Sequence, residues 1–530
     1  MKKSAGIAAG ALVAIAALGA GGAWYTGNQL PAVLDESIKR ANADLAKSLP
    51  ALGLDASIEL LSLERHFFSS DARYRLTFNG SLDGEAPQQL ELVIGDRIEH
   101  GPFPLSRLKG LKLMPVLATS NYVLESNLAL EKWFAAANGK SPLAGQASLG
   151  YDRSVAGNLR LSPLQMALDE ESDLDFSGLG IDFDSTAEAK AIEASGLMDS
   201  LKITSRLSES QEPLTIELQG LSLDSQTEKG ASDFYLGRNQ VKLQGVQILV
   251  GDNAPILFKD LAQLDETSEA DGRLAGRSTY SIGMVSYQGH DIGAVELISS
   301  VKNLDAGALQ SLLALYGEVL KGASQAQAQP ASLAAESEMP ELSEAQKAQL
   351  LVDLDKLLAA RPSVALEKLA FKTANGESSL SLALDFAKPE SFELPAPELA
   401  KQLLSQLDAK LVVSKAMITD MVGLQATFAG ETDQEAVAQS AAMMTEMTTG
   451  MALASELARL EGDNIVTSLH YADDKVDFNG KQMSVEEFVA MAFSTGAGLG
   501  MSAAAPDEEE LGADGLELEE EAGLEETPVE

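Results

Sequence analysis

The chain has no cysteine, which excludes disulfide staples, thiolate metal ligands and thiol chemistry. Histidine is scarce: His66, His100, His290 and His470 are the only four, and none stands in an HExxH or other metal-ligand spacing. No GxSxG elbow or Gly-rich phosphate loop is present either, so no reaction is legible and no metal or cofactor is expected. Positive charge is thin as well. Lys and Arg number 39 against 79 Asp and Glu, a net charge of −40, so nucleic acid is an unsuitable partner. Twelve of those acids lie in residues 502–530, which contain no Lys or Arg and read as a disordered acidic tail.

Long hydrophobic runs are missing with one exception. From Ser4 to Tyr25 the chain carries no charge, behind Lys2 and Lys3. Twenty-two residues at about 1.5 Å each give roughly 33 Å, enough to cross a hydrocarbon core. The flanking lysines put the N-terminus on the cytoplasmic side and the body outside. A cleaved signal peptide is the competing reading, with Gly21-Gly22-Ala23 as its small-residue site. The length of the run and the interfacial pair Trp24-Tyr25 favour a retained anchor, residues 1–27.

The chain as a whole holds 45% hydrophobic residues, ample for real cores. Asn28 to Leu49 predicts a helix with Leu30, Val33, Leu34, Ile38, Ala41, Leu45 and Leu49 on one stripe, and with the i,i+4 pairs Asp35–Lys39 and Glu36–Arg40. Alternating strands follow, with a turn at Phe68 to Asp71 and a second stretch through Tyr74, Leu76 and Phe78. Between Leu159 and Val301 one pattern recurs, as LDFSGLGI from Leu174, IELQGLSL from Ile216 and VKLQGVQI from Val241. Its apolar phase flips at the glycine. That predicts bulges at Gly178, Gly220 and Gly245 in long twisted strands, rather than tight hairpins.

A helix is expected from Leu304 to about Leu320 and a polar linker over 321–344. A helix with Leu350, Leu354 and Leu358 on one face then stops at Arg361-Pro362. Strands flank Asn375-Gly376, a strand covers Lys410–Val413, and helices lie near Pro397–Leu407 and Thr432–Leu460. Ile465–Tyr471 and Lys475–Phe478 form a hairpin, and Ser484 with Glu487 opens a last helix as a capping box. The fold class is therefore α+β and β-dominated: long twisted antiparallel strands with packing helices, on one N-terminal transmembrane helix. The divisions are an anchor (1–27), a β-rich domain (28–320), a linker (321–344), a C-terminal α+β domain (345–501) and the tail.

One loop stands out as a candidate docking site: His100, Gly101, Pro102, Phe103, Pro104 and Arg107. Its prolines stiffen a non-helical corner, Phe103 is available as a plug, and Arg107, Lys109 and Lys112 supply rare positive charge. The plainer reading is a rigid corner ending a strand, with His100 bonded to backbone. Met443, Met444, Met447 and Met451 read as a core stripe at helical spacing, with a soft apolar groove as the alternative.

Three blocks carry a family resemblance: Gly22 to Gly27 after the anchor, His100 to Leu105, and Asn479 to Ser484 near the end. In order and spacing they resemble the YdgA family of Gram-negative envelope proteins, up to about Phe493. The resemblance implies an inner-membrane protein facing the periplasm, self-associating, without established enzymatic activity. The long one-sided strands are also similar to those of AsmA-like envelope proteins, an analogy of fold alone. The expected function is a membrane-anchored, non-enzymatic binding or scaffold protein with an apolar sheet groove for lipid or an envelope protein. A structural homodimer in envelope organisation or motility is the alternative, and a hydrolase using His100 the remotest.

Overall fold

The computed structural model describes residues 30–48, 54–80, 88–169, 171–206, 212–327 and 342–498. The expected anchor, most of the linker and the acidic tail lie outside them. No helix among the described residues is long and apolar enough to cross a membrane.

Among the described residues, helix α1 (Leu30–Ser48) leads into a single antiparallel sheet of 22 strands. Its first strands are β1 (Leu54–Arg65), β2 (Ser69–Gly80), β3 (Gln88–His100), β4 (Ala118–Leu124), β5 (Leu143–Leu149) and β6 (Val155–Leu161). Short α2 (Leu105–Lys109) and α3 (Glu131–Ala136) lie between them. Next come β7 (Leu164–Ala167), β8 (Ser172–Phe176) and β9 (Leu179–Ser185). A meander of six long strands follows: β10 (Ala191–Ser205), β11 (Leu214–Lys229), β12 (Tyr235–Val250), β13 (Ile256–Ala270), β14 (Arg273–Tyr287) and β15 (His290–Asp305). Each has 15 or 16 residues, about 50 Å of strand.

After α4 (Ala306–Gln327) and α5 (Glu344–Ala359) the sheet resumes with β16 (Ser363–Lys372) and β17 (Glu377–Phe386). Then come α6 (Ala396–Leu403), β18 (Leu404–Ser414), α7 (Lys415–Phe428) and α8 (Gln434–Ala454). The chain closes with β19 (Arg459–Glu461), β20 (Asn464–Ala472), β21 (Lys475–Phe478), β22 (Lys481–Ser484) and α9 (Val485–Gly498). β15 pairs directly with β16, Val295 opposite Phe371, so the sheet runs unbroken past residues 321–344. Seven residues read as linker, 321–327, are the end of α4.

The first half is built around α1. Leu34, Ile38, Ala41 and Leu45 are buried, each within 7% of full closure, at the spacing the sequence predicts. The ion pairs Asp35–Lys39 and Glu36–Arg40 lie on the opposite, exposed face. Each buried Leu or Ile contributes roughly 1.5–3 kcal/mol. The helix stripe joins one core with Ile58 of β1, Tyr74 and Phe78 of β2, Ile94 and Ile98 of β3, Tyr122 of β4, and Ile181 and Phe183 of β9. Asn42 fixes the helix at one level, giving and taking a hydrogen bond with the backbone of Ile58 at 2.9 and 2.7 Å.

Two expectations are corrected here. The first turn lies at His66–Phe68 rather than Phe68–Asp71, because Ser69, Ser70 and Asp71 already pair with Glu99, Ile98 and Arg97 of β3. Of the three irregularities expected from the recurring pattern, the one at Gly220 is found in place and the other two differ. Gly178 (φ 96°) separates β8 from β9, and Gly220 (φ 63°) sits inside β11. In β12 the residue left out of the ladder is Gln244 rather than Gly245, which pairs with Gln219. The irregularity falls at one level: Asp199, Gly220, Gln244 and Asp260 each interrupt their strands between matched pairs. Neighbouring strands thus shift phase together and the register survives. Leu218 and Leu221 come to one face as the apolar pattern demands. Helix α7 was not expected, and its apolar content is diluted by Thr, Asp and Gly.

A buried carboxyl group sits among the strands of the first core. Asp96 shares the inward face of β3 with Ile94 and Ile98 and is 4% exposed. Burial pushes its pKa up to about 6, against the opposing hydrogen bonds from Ser120 Oγ (2.7 Å) and the Asn121 amide, and Asp71 raises it further. The folded state therefore keeps a proton that the unfolded state releases. Stability falls as pH climbs from the unfolded value near 3.8 through 6, a loss of roughly 3 kcal/mol once complete. Asp96→Asn is expected to exceed the parent in stability by a margin that widens between pH 4 and 6.5 and then levels off. Denaturant titrations at pH 4.5, 5.5 and 7.5 check it, and a pH-independent margin contradicts it. Gly220→Ala, forced into a left-handed conformation, is expected to cost about 1–2 kcal/mol in the same assay.

Candidate functional site

Two features of this architecture lie outside ordinary packing: an apolar sheet face without a covering layer, and an apolar corner at one end of the strands.

The face follows from the ladder. Direct antiparallel partners share a side of the sheet. Met198, Leu221, Leu243, Leu261, Ile282, Val295 and Phe371 are successive partners across β10–β16. Six strand spacings make this row about 29 Å long. A second row runs Leu201, Leu218, Val246, Phe258 and Val285, and a third Ile203, Ile216, Ile248, Ile256 and Tyr287. This side is continuous with the α1-filled core. Over Gly196, a Cβ would lie 3.1 Å from Leu223 Cδ1 and 3.4 Å from Ile181 Cγ1, and Ile181 belongs to that core. Beyond β10 the cover ends. Of the three rows only Met198 is buried; the rest are half-buried or, as with Ile256, exposed. At the far corner Phe428 of α7 meets Tyr287 edge-on, ring centroids 5.5 Å apart. The opposite side is polar, with a shallow groove of about 660 Å³ lined by Arg160, Asp182, Ser195, Asp224, Arg238 and Lys242.

The corner contains the predicted docking loop. His100 ends β3, and its N–H donates to the Phe68 carbonyl at 2.9 Å. Its ring lies 3.1 Å from Ser70 Oγ and hydrogen-bonds the Phe67 backbone. Burial lowers its pKa, the Phe67 bond opposing, which favours the neutral ring. His100 thus clamps the 66–68 turn to the loop, close to the plainer sequence reading, with Ser70 as an added partner. The hydrolase reading required a carboxylate beside His100. The contacts resolved for its ring are to Ser70 and Phe67, and the nearest acid in sequence, Glu99, accepts from the Ser106 amide at 2.7 Å.

Gly101 is required by close approach: a Cβ there would fall 1.9 Å from the Val116 carbonyl oxygen. Its N–H donates to the Leu117 carbonyl at 2.7 Å, and the Val116 N–H to the Pro102 carbonyl at 3.0 Å. The Gly101–Pro102 peptide is cis. Arg107 ties the loop down through Ser148 Oγ at 3.1 Å and the Met114 carbonyl at 3.2 Å. Phe103 is 56% exposed, and its neighbours Leu111 (84%) and Met114 (77%) more so. Phe67 (88%) and Phe68 (76%) stand beside them, a feature the sequence reading missed because the turn was placed too late.

The methionine stripe is also corrected. Helix α8 buries Ala441, Thr445 and Thr449, while Met443, Met444, Met447 and Met451 are exposed. Its inward face is small and hydroxylated: Thr445 and Thr449 return their hydroxyls to carbonyls four residues back, and Thr445 meets Thr419 of α7 at 3.3 Å. No cluster of three or more His, Asp or Glu able to hold a metal occurs among the described residues.

Protein YdgA of Escherichia coli (strain K12) is 26% identical over 496 residues, covering 92% of this chain and 96% of that protein. The uncharacterized protein YihF of the same strain is 23% identical over 496 residues, covering 92% and 98%. An uncharacterized protein of Haemophilus influenzae is 25% identical over 185 residues, covering 35% of this chain and 49% of its own. No solved structure matches. The model of a bacterial protein family of unknown function, DUF945, matches residues 1–486, and with full-length likeness to YdgA the chain belongs to that family.

Proposed function

We propose that the protein is a non-enzymatic binding or scaffold protein of the cell envelope, held in the inner membrane by residues 4–25 with its body in the periplasm. Its open sheet face takes the acyl chain of a membrane lipid. The observation that carries this reading is the row from Met198 to Phe371: seven apolar partners, half-open, on the same side that α1 fills elsewhere. A half-open aliphatic surface of this extent marks a binding site in proteins that stay dispersed. The rows run across the strands and contain no charge, which suits an extended aliphatic chain. A protein embedded in a bilayer meets lipid as its most abundant apolar neighbour.

Two copies joined through the same face are the competing occupant. Photo-cross-linking of the full chain with a diazirine-tagged phospholipid separates them. Label is expected on peptides from β11–β14, falling at least tenfold in Leu243→Asp and staying unchanged in Ser222→Asp on the polar side. Label confined to residues 1–29, or cross-links joining two chains through Leu221 and Leu261, contradicts lipid occupancy.

A further inference from the structure

The apolar corner has a position as well as a composition. Phe67, Phe68, Phe103, Leu111, Leu113 and Met114 are each more than half exposed and come from two segments that His100 holds together. The loop is braced through Glu99, Arg107 and the Gly101–Leu117 and Val116–Pro102 bonds, so these side chains are presented outward by a fixed scaffold. Residues 101–117 contain Arg107, Lys109 and Lys112 and no acid, in a chain of net charge −40. Apolar tips ringed by cations suit the boundary of an anionic bilayer.

The course of α1 gives the corner its neighbour. Asn42 is pinned to Ile58, and five residues join Ser48 to Leu54, so the helix runs back along β1 toward Arg65. From Asn42 to Leu30 is about 18 Å of helix, equal to between five and six strand residues. Leu30 therefore stands level with about Leu63 or Glu64, beside the 66–68 turn. The uncharged run of residues 4–25 ends only five residues before Leu30. Leu30 and the corner share one end of the body.

We propose that the 66–68 turn and the 101–117 loop insert into the interfacial layer of the bilayer that residues 4–25 cross. This rests on the reading of residues 4–25 as a membrane anchor, and the test separates the two. Since the chain has no cysteine, single cysteines at Phe103→Cys and Leu111→Cys can carry an environment-sensitive fluorophore. Leu128→Cys, 93% exposed just past the opposite end of β4, is the control. The full chain is reconstituted into phosphatidylethanolamine–phosphatidylglycerol vesicles, some containing spin-labelled lipid.

The labels at 103 and 111 are expected to shift to shorter wavelength and to be quenched at least twofold more than the label at 128. If the chain floats with the vesicles while all three labels respond alike, docking is overturned and the anchor stands. Labels at 103 and 111 that shift without lipid quenching put a protein at the corner and also overturn docking. A chain that does not float overturns both.

Discussion

A sheet with one apolar side needs a second layer, and this chain supplies one for only part of its length. In β1–β9 the layer is α1, whose Leu34, Ile38 and Leu45 close the core. From β11 to β14 the same side continues with the same kind of residue and loses its cover. The arrangement follows from composition: the meander alternates strictly enough to be apolar on one side and polar on the other, so only one side requires burial.

Local rules made much of the fold legible. Asn375-Gly376 turns β16 into β17, and Arg361-Pro362 ends α5. The capping box forms as read: the Glu487 carboxylate accepts from the Ser484 amide at 2.8 Å and Ser484 Oγ from the Glu487 amide at 3.1 Å. The long strands were visible because each carries its own alternation. What escaped were features decided between elements. Gln244, not Gly245, leaves the ladder because the irregular level is set by Gly220 and Asp260 on either side. The methionines of α8 point outward because α7 presents Thr419, which matches Thr445 rather than a sulfur. Helical spacing names a stripe; it does not say which stripe faces in.

The candidate site was half legible. The Pro-rich corner was found from its own residues, and its positive charge stood out against an acidic background. Phe67 and Phe68 were not attached to it, since only the pairing of β2 with β3 shows that the turn and the loop are neighbours. The corner and the open face also differ in kind. The corner is small, braced and at one end, whereas the face is extended and lies along the middle of the sheet. The first suits orientation and the second suits capture.

The most direct test asks whether the uncovered side is open until something fills it. A cysteine in place of Leu243 is the reporter, in a chain that has no other. Its rate of reaction with a small hydrophilic maleimide is measured in lipid-free full chain and again after adding a lysophospholipid. The account predicts ready modification without lipid and at least a tenfold slowing with it. A cysteine already shielded in the lipid-free chain, or equally reactive in both, contradicts it.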